Sequence, residues 1–150
     1  MDLILWRHAE AEDSFDDHER KLTKLGERQA SRMAAWLLAH LPEDCVILAS
    51  PAVRTRQTAS ALGRPVKIDP RLAPGRSPAE LIAVAGWPER TGTTLIVGHQ
   101  PTLGRVAALL LAHADDHWSV KKGAVWWISA DDREEGVRTV LRAAIAPEML

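Results

Sequence analysis

A chain of 150 residues with 46% hydrophobic and 26% charged residues, a formal net charge of -1 and one cysteine has the make-up of an ordinary globular domain, so a single domain over residues 1–150 is expected. That balance gives no footprint for nucleic acid or an anionic membrane, and no apolar run approaches the roughly 20 residues that cross a bilayer. The lone Cys45 excludes an internal disulfide framework, and Met1 to Trp6 carries no basic segment or small-residue cleavage site, so a cytoplasmic protein, by default a monomer, is expected.

In chain order, Leu3 to Trp6 is apolar throughout and reads as a strand covered on both faces. Thr23 is a good N-cap for a helix that places Ala30, Met33, Ala34, Leu37, Leu38 and Leu41 on one face and closes at Pro42. Cys45 heads the next apolar strand, Val46 to Ala49, where a buried structural thiol is expected. A second helix covers about Thr55 to Leu62, ended by Gly63 and Pro65, and a third follows the Ser77-Pro78 cap. Leu95 to Val97 is a third apolar strand, and Pro101 to His113 a fourth helix with Leu103, Val106, Ala107, Leu110 and Leu111 inward. Ala124 to Ser129 and Val137 to Ile145 read as strands joined by a polar loop from Asp131 to Gly136. Trp126 and Trp127, adjacent in a strand, face opposite sides, one in the core and the other under a helix. This alternation predicts a three-layer α/β/α sandwich with a mostly parallel sheet, whose ligands bind at the carboxyl ends of strands.

Those ends carry a repeated grammar. The first strand runs into Arg7-His8-Ala9-Glu10, the second into Ser50-Pro51 with Arg54, Gln57 and Thr58 on the next helix, and the third into Gly98-His99-Gln100-Pro101. Helix N-termini there favour an anion. Gathering Arg7, Arg54, His8 and His99 without compensation is costly unless the pocket receives a dianion such as phosphate. Arg56, two positions beyond Arg54, faces elsewhere, and His18, His40, His113 and His117 have no such company. Lys121-Lys122 reads as a solvated turn.

Arg7-His8-Ala9 resembles the Arg-His-Gly signature of the histidine phosphatase (phosphoglycerate mutase-like) superfamily. Leu22-Thr23, Gly26, Gln29-Ala30, the run from Ser50 to Ala59 and Val97-Gly98-His99 follow its pattern in order. The short chain without an inserted cap domain is similar to the SixA-type phosphohistidine phosphatases, and the likeness covers about residues 2 to 145. The resemblance implies that His8 is the nucleophile of a covalent phosphohistidine intermediate, with Arg7, Arg54 and His99 holding the phosphoryl oxygens and Arg20 as a further phosphate-binding arginine. It implies no metal and no cofactor. The expected substrate is phosphohistidine on a histidine phosphotransfer-type protein; a small-molecule phosphomonoesterase and a catalytically silent phosphoprotein scaffold are the alternatives.

Two departures bear on substrate. Ala9 replaces the usual glycine, and Gln100 follows His99 where acid phosphatases of the superfamily carry an aspartate general acid. The stretch Leu72 to Pro78 supplies no glutamate in its place, so Glu10 and Glu80 are the nearest candidates. A missing acid favours a phosphoramidate, whose P–N bond breaks readily, over an alkyl phosphate.

Overall fold

Leu3, Ile4, Leu5 and Trp6 are all 0% exposed, because the strand they build, β1 (Asp2–Arg7), lies inside a sheet covered on both faces. The computed structural model describes residues 1–133 and 135–150. The other strands are β2 (Val46–Ala49), β3 (Lys67–Ile68), β4 (Thr93–Gly98), β5 (Val125–Arg133) and β6 (Gly136–Ile145). They form one six-stranded sheet in the order β3-β2-β4-β1-β5-β6. β1 to β4 are parallel to their neighbours among themselves, while β5 and β6 add an antiparallel edge. The expected three-layer, mostly parallel architecture is therefore the observed one.

Strand alternation divides the core. Leu3, Leu5, Leu48 and Ile96 face α3 (Pro78–Ala85) and α4 (Thr102–Ala112), meeting Leu81, Val84, Leu103 and Val106. Ile4, Trp6, Ile47 and Leu95 face α1 (Lys24–Leu38) and α2 (Val53–Ser60), meeting Met33, Ala34, Leu37 and Ala59. Each large side chain so buried contributes about 1.5–3 kcal/mol relative to exposure. Trp127 and Trp126 separate as expected: the first packs edge-on to Trp36 in one layer, the second lies against Trp118 in the other.

Local signals explain the helix starts. The Thr23 hydroxyl accepts from the Gly26 N–H at 2.9 Å, and Ser77 caps α3 by accepting from the Glu80 N–H at 3.2 Å. Gly26 also permits the close approach that seats α1 beside the chain leaving β1, since a Cβ there would stand 2.0 Å from the Glu10 carbonyl oxygen.

Several boundaries differ from the expectation. α1 ends before Pro42, leaving Leu38 off the buried stripe at 40% exposure, while Leu41 packs inward from the turn beyond. α2 begins at Val53 instead of Thr55, because the helix starts directly from the Ser50-Pro51-Ala52 turn, and it ends at Ser60. Leu110 and Leu111 are only half-buried at the open end of α4, and Cys45 is half-buried, its thiol pushed up to about 11 first by burial. β3 is too short to leave a pattern in the sequence. Much of the loop expected over Asp131 to Gly136 is ladder: Asp131 pairs with Arg138 and Arg133 with Gly136, so polar residues ride the open end of an edge hairpin. Glu134, within that expected loop, lies outside the described residues. Among the described residues no helix is long and apolar enough to cross a membrane.

Candidate active site

The parallel registers pair Arg7 with Gly98 and Ala49 with Val97, so the residues that follow, His8, His99 and Ser50, emerge side by side from β1, β4 and β2. Backbone bonds continue the ladder: the His8 N–H donates to the Gly98 carbonyl at 3.2 Å and the Ser50 N–H to that of Val97 at 3.1 Å. The two imidazoles are 6% and 4% exposed, with ring centroids 5.4 Å apart.

His8 Nδ1 lies 2.7 Å from the Ala9 carbonyl oxygen. A carbonyl can only accept, so Nδ1 carries the hydrogen and Nε2 keeps its lone pair. Burial, and then the charges of Arg54, Arg7 and Arg20, push His8 down to about 4 against the opposing bond to Ala9. His99 is pushed down to about 3 by burial and then by Arg54 and His8. Its Nε2 lies 2.7 Å from the Ser50 hydroxyl. Both rings are neutral at pH 7. The stability consequence has a definite sign: the unfolded chain binds protons at these positions below about pH 6.5, and the folded chain does not until near pH 4. Tm is therefore expected to fall as the pH is lowered from about 6.5 towards 4.5, a window in which ordinary carboxylates are still mostly ionised. A Tm that stays flat across it would contradict the buried neutral pair.

Arg7 donates through Nη1 to the Val120 carbonyl at 2.9 Å. Arg54, 3% exposed on α2, donates through Nη1 to the Asp17 carbonyl at 2.6 Å and through Nη2 to the Asp17 carboxylate at 3.1 Å. What remains is a set of buried nitrogens without partners: Arg7 Nε, Arg54 Nε and His99 Nδ1. A buried donor left unsatisfied costs about 1–3 kcal/mol, and more when charged. Two arginine donors and an imidazole nitrogen without partners in one site, beside the His8 lone pair, fit an anion with several oxygens.

Arg20 joins the group indirectly. Its Nη1 is 3.3 Å from the Asp17 carboxylate and its Nε donates to the Glu12 carbonyl at 2.9 Å. Asp17 thus holds both Arg54 and Arg20, which corrects the expectation of an uncompensated cationic cluster. Asp17 leaves little trace in the sequence: its one signal is the spacing of three from Arg20, a short-range ion-pair distance on a helical turn.

The rest of the motif is framework. The Thr58 hydroxyl accepts from the Ala9 N–H at 3.0 Å and donates to the Arg54 carbonyl at 2.7 Å, tying the histidine loop to α2. Gln57 accepts from the Leu22 N–H at 2.8 Å and Gln29 from the Glu10 N–H at 2.9 Å. Neither candidate acid is free. The Glu10 carboxylate accepts from the Thr23 hydroxyl at 3.0 Å, and that of Glu80 pairs with Arg76 at 2.7 Å. Gln100 donates to the Trp118 carbonyl at 2.8 Å and accepts from the Gly104 N–H at 2.7 Å. His18, His40, His113, His117 and Lys122 are exposed, and Lys121 pairs with Glu148 at 3.4 Å.

Arg56 is exposed, about 200° around α2 from Arg54. Arg54→Ala is expected to lower kcat about 10²–10³-fold, the usual loss of one preorganised donor to a developing charge. Arg56→Ala should change it less than twofold. Equal losses in steady-state assays of the two variants would overturn this division of the helix.

A three-layer sandwich with a histidine–arginine pocket at the carboxyl ends of its parallel strands defines a phosphoglycerate mutase-like protein. The chain belongs to the histidine phosphatase superfamily: residues 3–75 match the model described as histidine phosphatase superfamily (branch 1). An uncharacterised protein of Mycobacterium tuberculosis is 37% identical over 111 residues, 69% of this chain and 68% of the relative. Among solved structures, a Nakamurella multipartitia protein provisionally assigned as the phosphohistidine phosphatase SixA is 31% identical, covering 97% of this chain and 95% of its own at a TM-score of 0.80. The protein histidine phosphatase SixA complexed with tungstate is 25% identical over 99% of both chains, with the same TM-score of 0.80. The membership supports phosphatase activity.

Proposed function

We propose that residues 1–150 act as one phosphohistidine phosphatase domain in which His8 is the nucleophile. One observation carries the reading: the bond from Nδ1 to the Ala9 carbonyl leaves a neutral His8 with its Nε2 lone pair free, beside the unpartnered nitrogens of Arg7, Arg54 and His99. In the first step Nε2 attacks phosphorus in line. The new P–Nε2 bond forms as the P–N bond to the substrate imidazole breaks, and that imidazole takes a proton from solvent. In the second step water attacks phosphorus, inorganic phosphate leaves, and His8 returns to its neutral form. Dividing the displacement replaces one difficult step with two easier ones. Arg7, Arg54 and His99 donate to the equatorial oxygens, where charge shifts in the transition state, and Arg20 extends the anion-binding edge.

Similarity to the SixA structures supports a phosphorylated protein as substrate. So does the engagement of Gln100, Glu10 and Glu80 in other bonds, which leaves the leaving group to depart largely unaided. Rapid quenching with a labelled phosphohistidine protein should trap acid-labile phosphate on His8. Label on another residue, or turnover with none trapped under single-turnover conditions, would sink the covalent route.

A further inference from the structure

Asp17 stands in a loop closed at its neck. Ala11 bridges Leu22, the Glu12 N–H donates to the Lys21 carbonyl at 2.7 Å, and Arg20 Nε donates to the Glu12 carbonyl at 2.9 Å. From this loop Asp17 reaches both remote arginines: Oδ2 lies 3.1 Å from Arg54 Nη2, its carbonyl 2.6 Å from Arg54 Nη1, and Oδ1 3.3 Å from Arg20 Nη1. Burial pushes its carboxyl up, but the hydrogen bonds and charges of Arg54 and Arg20 together outweigh this and hold it below the usual carboxylate range. It is therefore ionised at neutral pH and unsuited to donate a proton to a leaving group.

Charge then decides its role. Arg7, Arg20 and Arg54 bring three positive charges, the two imidazoles are neutral, and Asp17 brings one negative charge, leaving two positive charges for the ligand. That equals the charge of a phosphoryl dianion. Without Asp17 the site would exceed its ligand by one unit and hold inorganic phosphate more tightly after hydrolysis.

We propose that Asp17 is a positioning residue that orients Arg54 and Arg20 and trims the pocket's charge to match a dianion, so that product phosphate can leave. The inference rests on the pocket binding phosphate, as set out under the proposed function. Its test is inhibition by inorganic phosphate, measured with an aryl phosphate substrate on wild type and Asp17→Asn. The asparagine keeps the backbone bond to Arg54 and an acceptor of the same size but removes the charge. The phosphate inhibition constant is expected to fall about tenfold, because the Asp17 side chain is 55% exposed and solvent screens most of the effect of one unit charge. Steady-state kcat should fall more than kcat/KM, because release slows while capture does not. A merely structural carboxylate would move the inhibition constant the other way, since a loosened Arg54 binds phosphate less well. An unchanged or higher constant in a folded variant overturns the proposal, whereas failure of wild type to bind phosphate or tungstate at all overturns the reading of the site. Asp17→Ser, which also keeps the backbone bond, serves if the asparagine variant does not fold. If neither folds, Asp17 is a stability residue and the charge-matching role is wrong.

Discussion

His8→Ala is expected to reduce turnover by about 10⁴-fold or more while leaving the fold intact, because it removes the only proposed bond-forming atom and little else. The side chain's hydrogen bond is to its own neighbour, the Ala9 carbonyl, at 2.7 Å. The tertiary bonds at this position belong to the backbone: the His8 N–H to Gly98, and the His8 carbonyl accepting from Gly123 at 3.0 Å. Both survive truncation. Removing a buried imidazole that must stay neutral should also raise the pocket's tolerance of acid, so the fall in Tm below pH 6.5 becomes shallower. Circular dichroism and thermal melting check the fold, and steady-state assays check the rate. An alanine variant that keeps a rate near wild type would remove His8 from the mechanism.

The second large effect concerns the leaving group. Expelling an alkoxide from phosphorus needs a proton, and a positioned general acid typically contributes about 10²–10⁴-fold. The residue after His99 is an amide whose two ends are both occupied, by Trp118 and Gly104. Glu10 faces Thr23, and Glu80 faces Arg76. Asp17, the carboxylate nearest the arginines, is held ionised by them. Imidazole and phenolates leave with less help. The ratio of kcat/KM for phosphohistidine or an activated aryl phosphate over glycerol phosphate or phosphoglycerate is therefore expected to reach about 10²–10⁴. A panel of these substrates under one set of conditions measures it. Comparable rates for alkyl esters and phosphohistidine would mean that an acid operates here, and Glu10→Gln would be the first variant to make.

The sequence made the frame of this site legible because its signals are local. Short apolar runs such as Leu3 to Trp6 suit interior strands of a covered sheet, and caps such as Thr23 and Ser77 mark where helices begin. Parallel topology then brings the residues after each strand together, so His8 and His99 met as neighbours without any measured distance. Three-dimensional bonding among side chains was not legible. Nothing in periodicity says that Asp17, exposed on a short turn, reaches a guanidinium 37 positions away. Nor does spacing reveal that Thr58 joins Ala9 to Arg54. The tautomer of His8 was equally hidden, since it depends on which atom meets the Ala9 carbonyl. The hairpin beyond Ser129 misled for a different reason: an edge ladder can run through polar residues, because it is their backbones that pair.

Gln100 bears on how such a pocket could change occupation over time. Substituting aspartate here looks on paper like a one-step route to alkyl-ester hydrolysis. In this fold the amide joins the first turn of α4 to the Trp118 carbonyl, and the chain from there leads to Val120, whose carbonyl receives Arg7. A shorter carboxylate cannot donate to Trp118 when ionised, and it would strip that carbonyl of a partner beside Gly104, where no Cβ fits because it would stand 1.7 Å from the same oxygen. The mutation that supplies a proton donor thus loosens the strut behind Arg7, which the proposed function assigns to phosphate. On the proposed reading, a change of leaving-group chemistry at position 100 therefore reaches beyond the residues that touch phosphorus, into the segment that carries Trp118 and Val120.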